Sequence, residues 1–209
     1  YEEMLELARL GAGVLHSRSV EFAKKYTIRL HVRSSFNDDR GTIVMPREEM
    51  MEKFVISGVT SKDDEAKITI RDIPDRPGVA SMLFGELGKQ KVYVNMIVQS
   101  TGKDGKASIS FTVLKNDLKR ALTICEGLKA TMGATSIDYK ENIAIVSAVG
   151  VGMLSSWGVA GRMFDVLFKH NINIEMISTS EIGISCVIDS MYTELAVKAI
   201  HKEFIEVNE

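Results

Sequence analysis

Apolar positions along the chain switch between helical and strand spacing, and they make the same series of switches twice. Leu5, Leu7, Ala8, Leu10, Val14, Leu15, Val20, Phe22 and Ala23 recur at helical intervals, in two pieces broken near Gly11-Ala-Gly13. Residues 28–32 predict a short strand, and the polar stretch to Gly41 holds the turn Asn37-Asp-Asp-Arg-Gly41. Residues 54–60 predict a strand, 61–65 a charged, solvated turn, and 66–70 an alternating, half-buried strand. A helix follows from Pro77 to about Lys89, with Asp75 upstream as an acceptor for its free amides. Strands at 92–99 and Lys106–Leu114, joined by the Gly102-Lys-Asp-Gly105 turn, lead to a helix capped by Asn116 and a strand at 135–139. The order is βαββαβ.

The series then restarts with Ile143–Val149, a helix at 157–170, strands at 172–179 and 184–188, and a helix at 191–204. Asp75-Arg-Pro-Gly-Val-Ala-Ser-Met-Leu-Phe is answered by Ser155-Ser-Trp-Gly-Val-Ala-Gly-Arg-Met-Phe. Gly78/Gly158, Val79/Val159, Ala80/Ala160, Phe84/Phe164, Met96/Met176 and Ser100/Ser180 fall in one ungapped register. A repeat of this size is two copies of a small α+β domain rather than a solenoid. The second copy lacks its last strand, while 54–60 lies unused before the first. The simplest resolution inserts the first unit into the second, which takes its missing strand from 54–60, since filling an unpaired sheet edge satisfies its backbone groups.

Composition narrows the function. The 209 residues carry a formal net charge of −2 with 45% hydrophobic and 26% charged residues, an ordinary globular balance without an electrostatic footprint for nucleic acid or anionic lipid. There is no apolar run of membrane-spanning length and no signal peptide, and Cys125 and Cys186 sit in apolar segments, so a cytoplasmic protein with reduced core thiols is expected. Tyr1 stands already within helical pattern, which suggests a fragment.

Catalytic signals are poor: there is no phosphate-binding glycine loop, no paired-cysteine motif and no His-Glu-x-x-His. His16, His31, His170 and His201 are scattered, and the acidic groups at 38–39 and 63–65 read as solvated turns. The strand-to-helix turns carry more. Glycine admits a ligand to the backbone and a first helical turn offers amides without intrahelical partners, so Gly78, Val79 and Ala80 can hold a carboxylate. Asp75 can pair with an ammonium, and Asn95 and Gln99 can read a side chain; together these suit a free amino acid. Asp-Arg-Pro-Gly is equally an ordinary turn and helix start, and spacing by itself leaves both readings open. Two related pockets on one chain point to sensing before catalysis.

Asp75-Arg-Pro-Gly-Val-Ala with Asn95-Met-Ile-Val-Gln99, and Asn171-Ile-Asn-Ile-Glu-Met-Ile-Ser-Thr-Ser-Glu181, resemble the paired ACT domains at the C-terminus of bacterial aspartate kinase. Leu10 to Lys25 with Val32-Arg-Ser-Ser-Phe-Asn37 is similar to the end of that family's kinase domain, so the likeness covers essentially the whole chain. It implies a C-terminal kinase end and linker at 1–49, a first ACT domain at 65–141 inserted in a second made of 50–64 plus 142–209, and a ferredoxin-like fold for both. It implies a parent enzyme that phosphorylates aspartate with ATP and Mg, feedback inhibition by lysine, threonine or both, a homodimer through the ACT domains, and a kinase domain as partner. The nucleotide motifs of that family are missing, so the fragment itself is expected to be inactive and to carry no cofactor.

The same resemblance places effector contacts at Asp75, Arg76, Pro77, Gly78, Val79, Ala80, Tyr93, Val94, Asn95 and Gln99, and at Val159, Ala160, Asn173, Ile174, Ser180 and Glu181. Ser156-Trp157-Gly158 replaces the family's His-Pro-Gly, and Asn95 stands where a relative commonly has Asp. Trp157 is therefore expected to crowd the second pocket, and the first to bind more tightly. Two competing readings are a stand-alone amino-acid-sensing adaptor and an RNA-binding βαββαβ module. Residues 1–37 count against the former, and the negative charge with a single central-strand aromatic, Phe111, counts against the latter.

Overall fold

The computed structural model describes residues 1–47, 55–102 and 105–206. The first apolar stripe folds as α1 (Glu2–Arg9) and α2 (Ser17–Lys25), closed over a small core of Tyr1, Leu5, Val20, Ala23 and Val44. Val44 comes from a hairpin of β1 (Leu30–Val32) and β2 (Thr42–Val44). Only Val44 of β2 is buried, so that strand leaves no trace in the apolar spacing.

Next come β3 (Gly58–Lys62) and then the first repeat: β4 (Glu65–Pro74), α3 (Val79–Lys89), β5 (Val94–Thr101), β6 (Lys106–Leu114), α4 (Leu118–Met132) and β7 (Ser136–Lys140). The second repeat holds β8 (Ile143–Val149), α5 (Val159–Lys169), β9 (Met176–Thr179), β10 (Gly183–Asp189) and α6 (Thr193–Phe204). The two four-stranded antiparallel sheets run β5-β6-β4-β7 and β3-β8-β10-β9. Both have the ferredoxin-like order, and β3 fills the place of the second repeat's last strand. The first repeat is inserted in the second.

The inserted strand begins later than its apolar content predicts: the ladder covers Gly58–Lys62 rather than 54–60, and residue 54 lies outside the described residues. Ile56 is fully buried in the second core, yet 55–57 cross over Gly150 so closely that a Cβ there would meet the Val55 carbonyl oxygen at 2.2 Å. Apolar character at 55–56 thus marks core, and pairing starts only once the chain has passed that crossing. The helix starts also differ in detail. Pro77 precedes the helix, the N-cap of α3 is the left-handed Gly78, and no side chain caps it, so Asp75 is not its capping acceptor. Likewise α4 follows a 3₁₀ turn at Lys115–Asp117, and Asn116 does not cap it.

Each sheet buries one face under its own helices. Ala66, Ile68 and Ile70 of β4 meet Leu83, Leu87, Ala121 and Cys125, while Ala144, Val146 and Ala148 of β8 meet Met163, Leu167, Ala196 and Ile200. Each fully buried large aliphatic side chain contributes about 1.5–3 kcal/mol. The other sheet faces turn toward each other, and Met96 and Val98 pack on Ile143, Ile145, Met176 and Val187. Matching hydroxyl pairs lie in the two sheets: Thr69 Oγ1 and Ser110 Oγ at 3.0 Å, Ser147 Oγ and Ser185 Oγ at 2.7 Å.

Glu65, where the chain passes from β3 to β4, is completely buried rather than part of a solvated turn. Its Oε1 accepts from Lys62 Nζ at 2.6 Å and Asn95 Nδ2 at 2.7 Å. Burial pulls the Lys62 ammonium down, but the Glu65 carboxylate outweighs it and the net shift is upward. Glu65 Oε2 is buried with no hydrogen-bond partner among the described residues.

Candidate functional site

A cavity of about 330 Å³ opens where β4 of the first repeat gives way to α3. Local backbone chemistry shapes it. A β-bulge between Ile70 and Ile73, with Asp72 at φ +56°, adds one residue to β4 and returns Ile73 to the buried side. Pro74 then ends the strand, and the Asp75 N–H donates to the Gly105 carbonyl at 2.8 Å, tying the turn to the β5–β6 hairpin. Gly78, at φ +98°, takes a left-handed conformation that costs an L side chain about 1–2 kcal/mol. The first intrahelical bond of α3 runs from Met82 N–H to Gly78 O at 2.9 Å, so the N–H groups of Val79, Ala80 and Ser81 have no acceptor within the helix.

Asp75, Arg76, Pro77, Gly78, Val79, Ala80 and Gln99 all line this cavity, above a floor of Ile73, Pro74, Ala107 and Ile109. One carboxylate, one guanidinium, a helix start and one amide thus surround an apolar base. The arrangement offers a partner to an ammonium and to a carboxylate on the same small molecule. Of the floor residues Ala107 and Ile109 were legible in principle, because Lys106-Ala-Ser-Ile-Ser alternates and sets both on one face, with Gln99 opposite Ile109 on the paired strand.

The remaining candidates lie elsewhere. Tyr93 is exposed and Val94 packs against the first core. Asn95 is turned to Glu65 and lines a smaller space of about 110 Å³, which it shares with Ser180, Ser178, Met96, Glu6 and Leu10. Asn95 and Ser180, assigned to different repeats' pockets from sequence, therefore face one common cleft. In the second repeat Val159 is core, Ala160 and Ile174 pack on that core, and Asn173 and Glu181 are exposed. The turn before α5 is occupied by a 3₁₀ segment, Val151–Ser155, and Trp157 stands 97% exposed. Its indole fills no pocket within the chain, contrary to the crowding that the sequence suggests. Among the described residues no group of three or more His, Cys, Asp or Glu is placed to hold a metal ion, and no helix is long and apolar enough to cross a membrane.

Two ferredoxin-like units, one inserted in the other, with glycine-opened helix starts define a paired ACT regulatory module, and the ACT domain family matches residues 71–127 and 146–204. An aspartate kinase of Stutzerimonas stutzeri is 51% identical over 205 residues, 98% of this chain and 50% of that protein. The regulatory subunit of aspartate kinase from Thermus thermophilus, solved in ligand-free form, superposes with a TM-score of 0.67 at 36% identity, covering 71% of this chain and 98% of that one. Clostridium acetobutylicum aspartate kinase superposes with a TM-score of 0.86 at 27% identity, over 98% of this chain and 47% of that one. The chain belongs to the aspartate kinase family and corresponds to its regulatory region. It spans about half the length of the curated relatives it matches.

Proposed function

We propose that the chain is the amino-acid-sensing part of an aspartate kinase, and that the cavity beside Asp75 binds lysine, threonine or both as feedback effectors. The observation that carries this reading is the convergence of Asp75, Arg76, the Gly78 helix start and Gln99 on one cavity of about 330 Å³. In it Asp75 takes the effector's ammonium, the free amides of α3 take its carboxylate, and Gln99 with the apolar floor contacts the side chain. A charge-assisted hydrogen bond of this kind contributes roughly twice a neutral one, which makes Asp75 the principal anchor.

Effector binding shifts the parent kinase only through different affinities for two arrangements of the repeats, and a coupling of about 1–3 kcal/mol is typical. The parent would phosphorylate aspartate with ATP and Mg in the cytoplasm; this chain, without nucleotide motifs, would be inactive alone and free of cofactor. The proposed domain limits are 1–49, 65–141 and 50–64 plus 142–209, a division that the pairing of β3 with β8 supports. Association as a homodimer is supported by the outer edges of β5 and β9, each with a single neighbour in its sheet among the described residues.

Calorimetric titration with lysine and threonine, separately and together, tests the reading. Saturable binding that Asp75→Ala abolishes is the expected result. Unaltered binding in Asp75→Ala, or no binding of either amino acid, overturns it.

A further inference from the structure

We propose that α1 is a staple across the second repeat, holding together the two loops that correspond to those around the first repeat's cavity. In the first repeat the turn after β4 is joined to the β5–β6 hairpin by the bond from Asp75 N–H to Gly105 O at 2.8 Å. The second repeat has the same joint, from Gly150 N–H to Ile182 O at 2.9 Å. Here, however, a helix from outside the repeat grips both sides.

Glu3 Oε1 accepts from Val151 N–H at 2.9 Å, in the segment leading to α5, and from Ser57 Oγ at 2.5 Å. One helical turn later, Glu6 Oε1 accepts from Ser180 Oγ at 2.9 Å, on the β9–β10 hairpin. The two carboxylates thus bridge the turn after β8 and the hairpin that closes over it.

Glycines let the helix come this close. A Cβ on Gly58 would stand 3.1 Å from Leu7 Cδ1, and one on Gly183 would stand 3.3 Å from Glu6 Oε1. Toward the first repeat, by contrast, Leu10 and Glu6 border the open cleft of about 110 Å³ that also holds Asn95. Helix α1 therefore rides on the second repeat, with a cleft between it and Asn95 of the first. A change in spacing between the two stapled loops moves α1, and displacement of Glu6 from the Ser180 hydroxyl releases the helix from the β9–β10 hairpin. Ser180 is in this account a positioning residue for the helix. These contacts stand whether or not the first cavity binds an amino acid.

Hydrogen–deuterium exchange of the whole chain, without added ligand, tests the staple. Glu3→Ala/Glu6→Ala and Ser180→Ala should each speed exchange across residues 2–9, on the order of tenfold for the double variant, as expected for loss of hydrogen bonds to charged acceptors. Ser180→Thr, which keeps the hydroxyl, should restore slow exchange, and α6 should be unchanged in every variant. Unaltered exchange at residues 2–9 in the double variant overturns the proposal. So does an equal rise throughout α5 and α6, which would make α1 one cooperative unit with the repeat rather than a separable clasp.

Discussion

Lys140 of the first repeat reaches Glu175 of the second, with Nζ 2.6 Å from Oε1. Lys67, paired with Lys140 across β4 and β7, holds the other oxygen of the same carboxylate. Lys140 also lies 3.0 Å from Asp189. The sheets of the two repeats are thus joined by an ionic chain beside the Met96–Met176 contact. Burial pushes the Glu175 carboxyl up, but the Lys140 and Lys67 hydrogen bonds outweigh it and hold the group below its ordinary value of 4.5.

That depressed value fixes the pH dependence. The folded state binds the Glu175 proton less readily than the unfolded chain, so the stabilisation is present above about pH 4.5 and disappears as pH falls through the lowered value. Glu175→Gln should lower stability by about 2 kcal/mol near neutral pH. Urea denaturation should show the gap narrowing as the pH falls below 4.5. A gap that stays constant across this range would mean that the carboxylate charge does not join the repeats.

Two glycines that look alike in sequence should respond differently to alanine. At Gly78 a Cβ would meet nothing within 4 Å, so only the left-handed φ of +98° resists, at about 1–2 kcal/mol. At Gly150 the backbone is extended, but a Cβ would stand 2.2 Å from Val55 O and 2.6 Å from Ile56 Cα. Gly150→Ala must push the crossing segment off the sheet and should cost more than about 3 kcal/mol. Thermal denaturation of both variants measures the difference, and equal losses would contradict it.

Lys91 and Asn171 end α3 and α5 with the same left-handed φ of 55°. Asparagine tolerates this conformation better than lysine does. Lys91→Asn should therefore raise stability by about 0.5 kcal/mol without altering any core contact. Chemical denaturation showing a loss of stability would show that the lysine side chain contributes more than its strained backbone costs.

The buried thiols offer a check on packing. Burial pushes both Cys125 and Cys186 up to about 12, so neither is ionised near neutral pH. Neither should react with a disulfide reagent in the native chain, and both should react on unfolding. Fast reaction of Cys125 in the native state would show that α4 opens locally, and fast reaction of Cys186 that β10 does.

Periodicity carried the fold further than it carried the site. β6 and β8 match their apolar runs end to end because alternation or full burial covers their whole length. The β3 ladder was displaced because Val55 and Ile56 are apolar for the core and not for pairing. Asp75 to Ala80 and Gln99 were legible as a group because a single turn and one facing strand bring them together. Asn95 was drawn away by Glu65, a residue whose charged neighbours Asp63 and Asp64 make it look like surface. Trp157 looked like a pocket plug in sequence, and only the 3₁₀ turn before it turns the ring outward.

The insertion also sets an order in which the chain can assemble. Lys62 pairs with Ile145, and everything between them belongs to the first repeat or its two short links. While that stretch is unfolded, closing β3 on β8 means closing a long, slack loop, with an entropy cost that grows as the logarithm of its length. Once the first repeat has formed, Lys67 lies beside Lys140 and the two exits from the unit emerge side by side. The remaining closure is then no harder than that of a hairpin. A contiguous domain thus serves as the turn of the interrupted one, and the last strand of the second sheet is placed by a neighbour that has already folded.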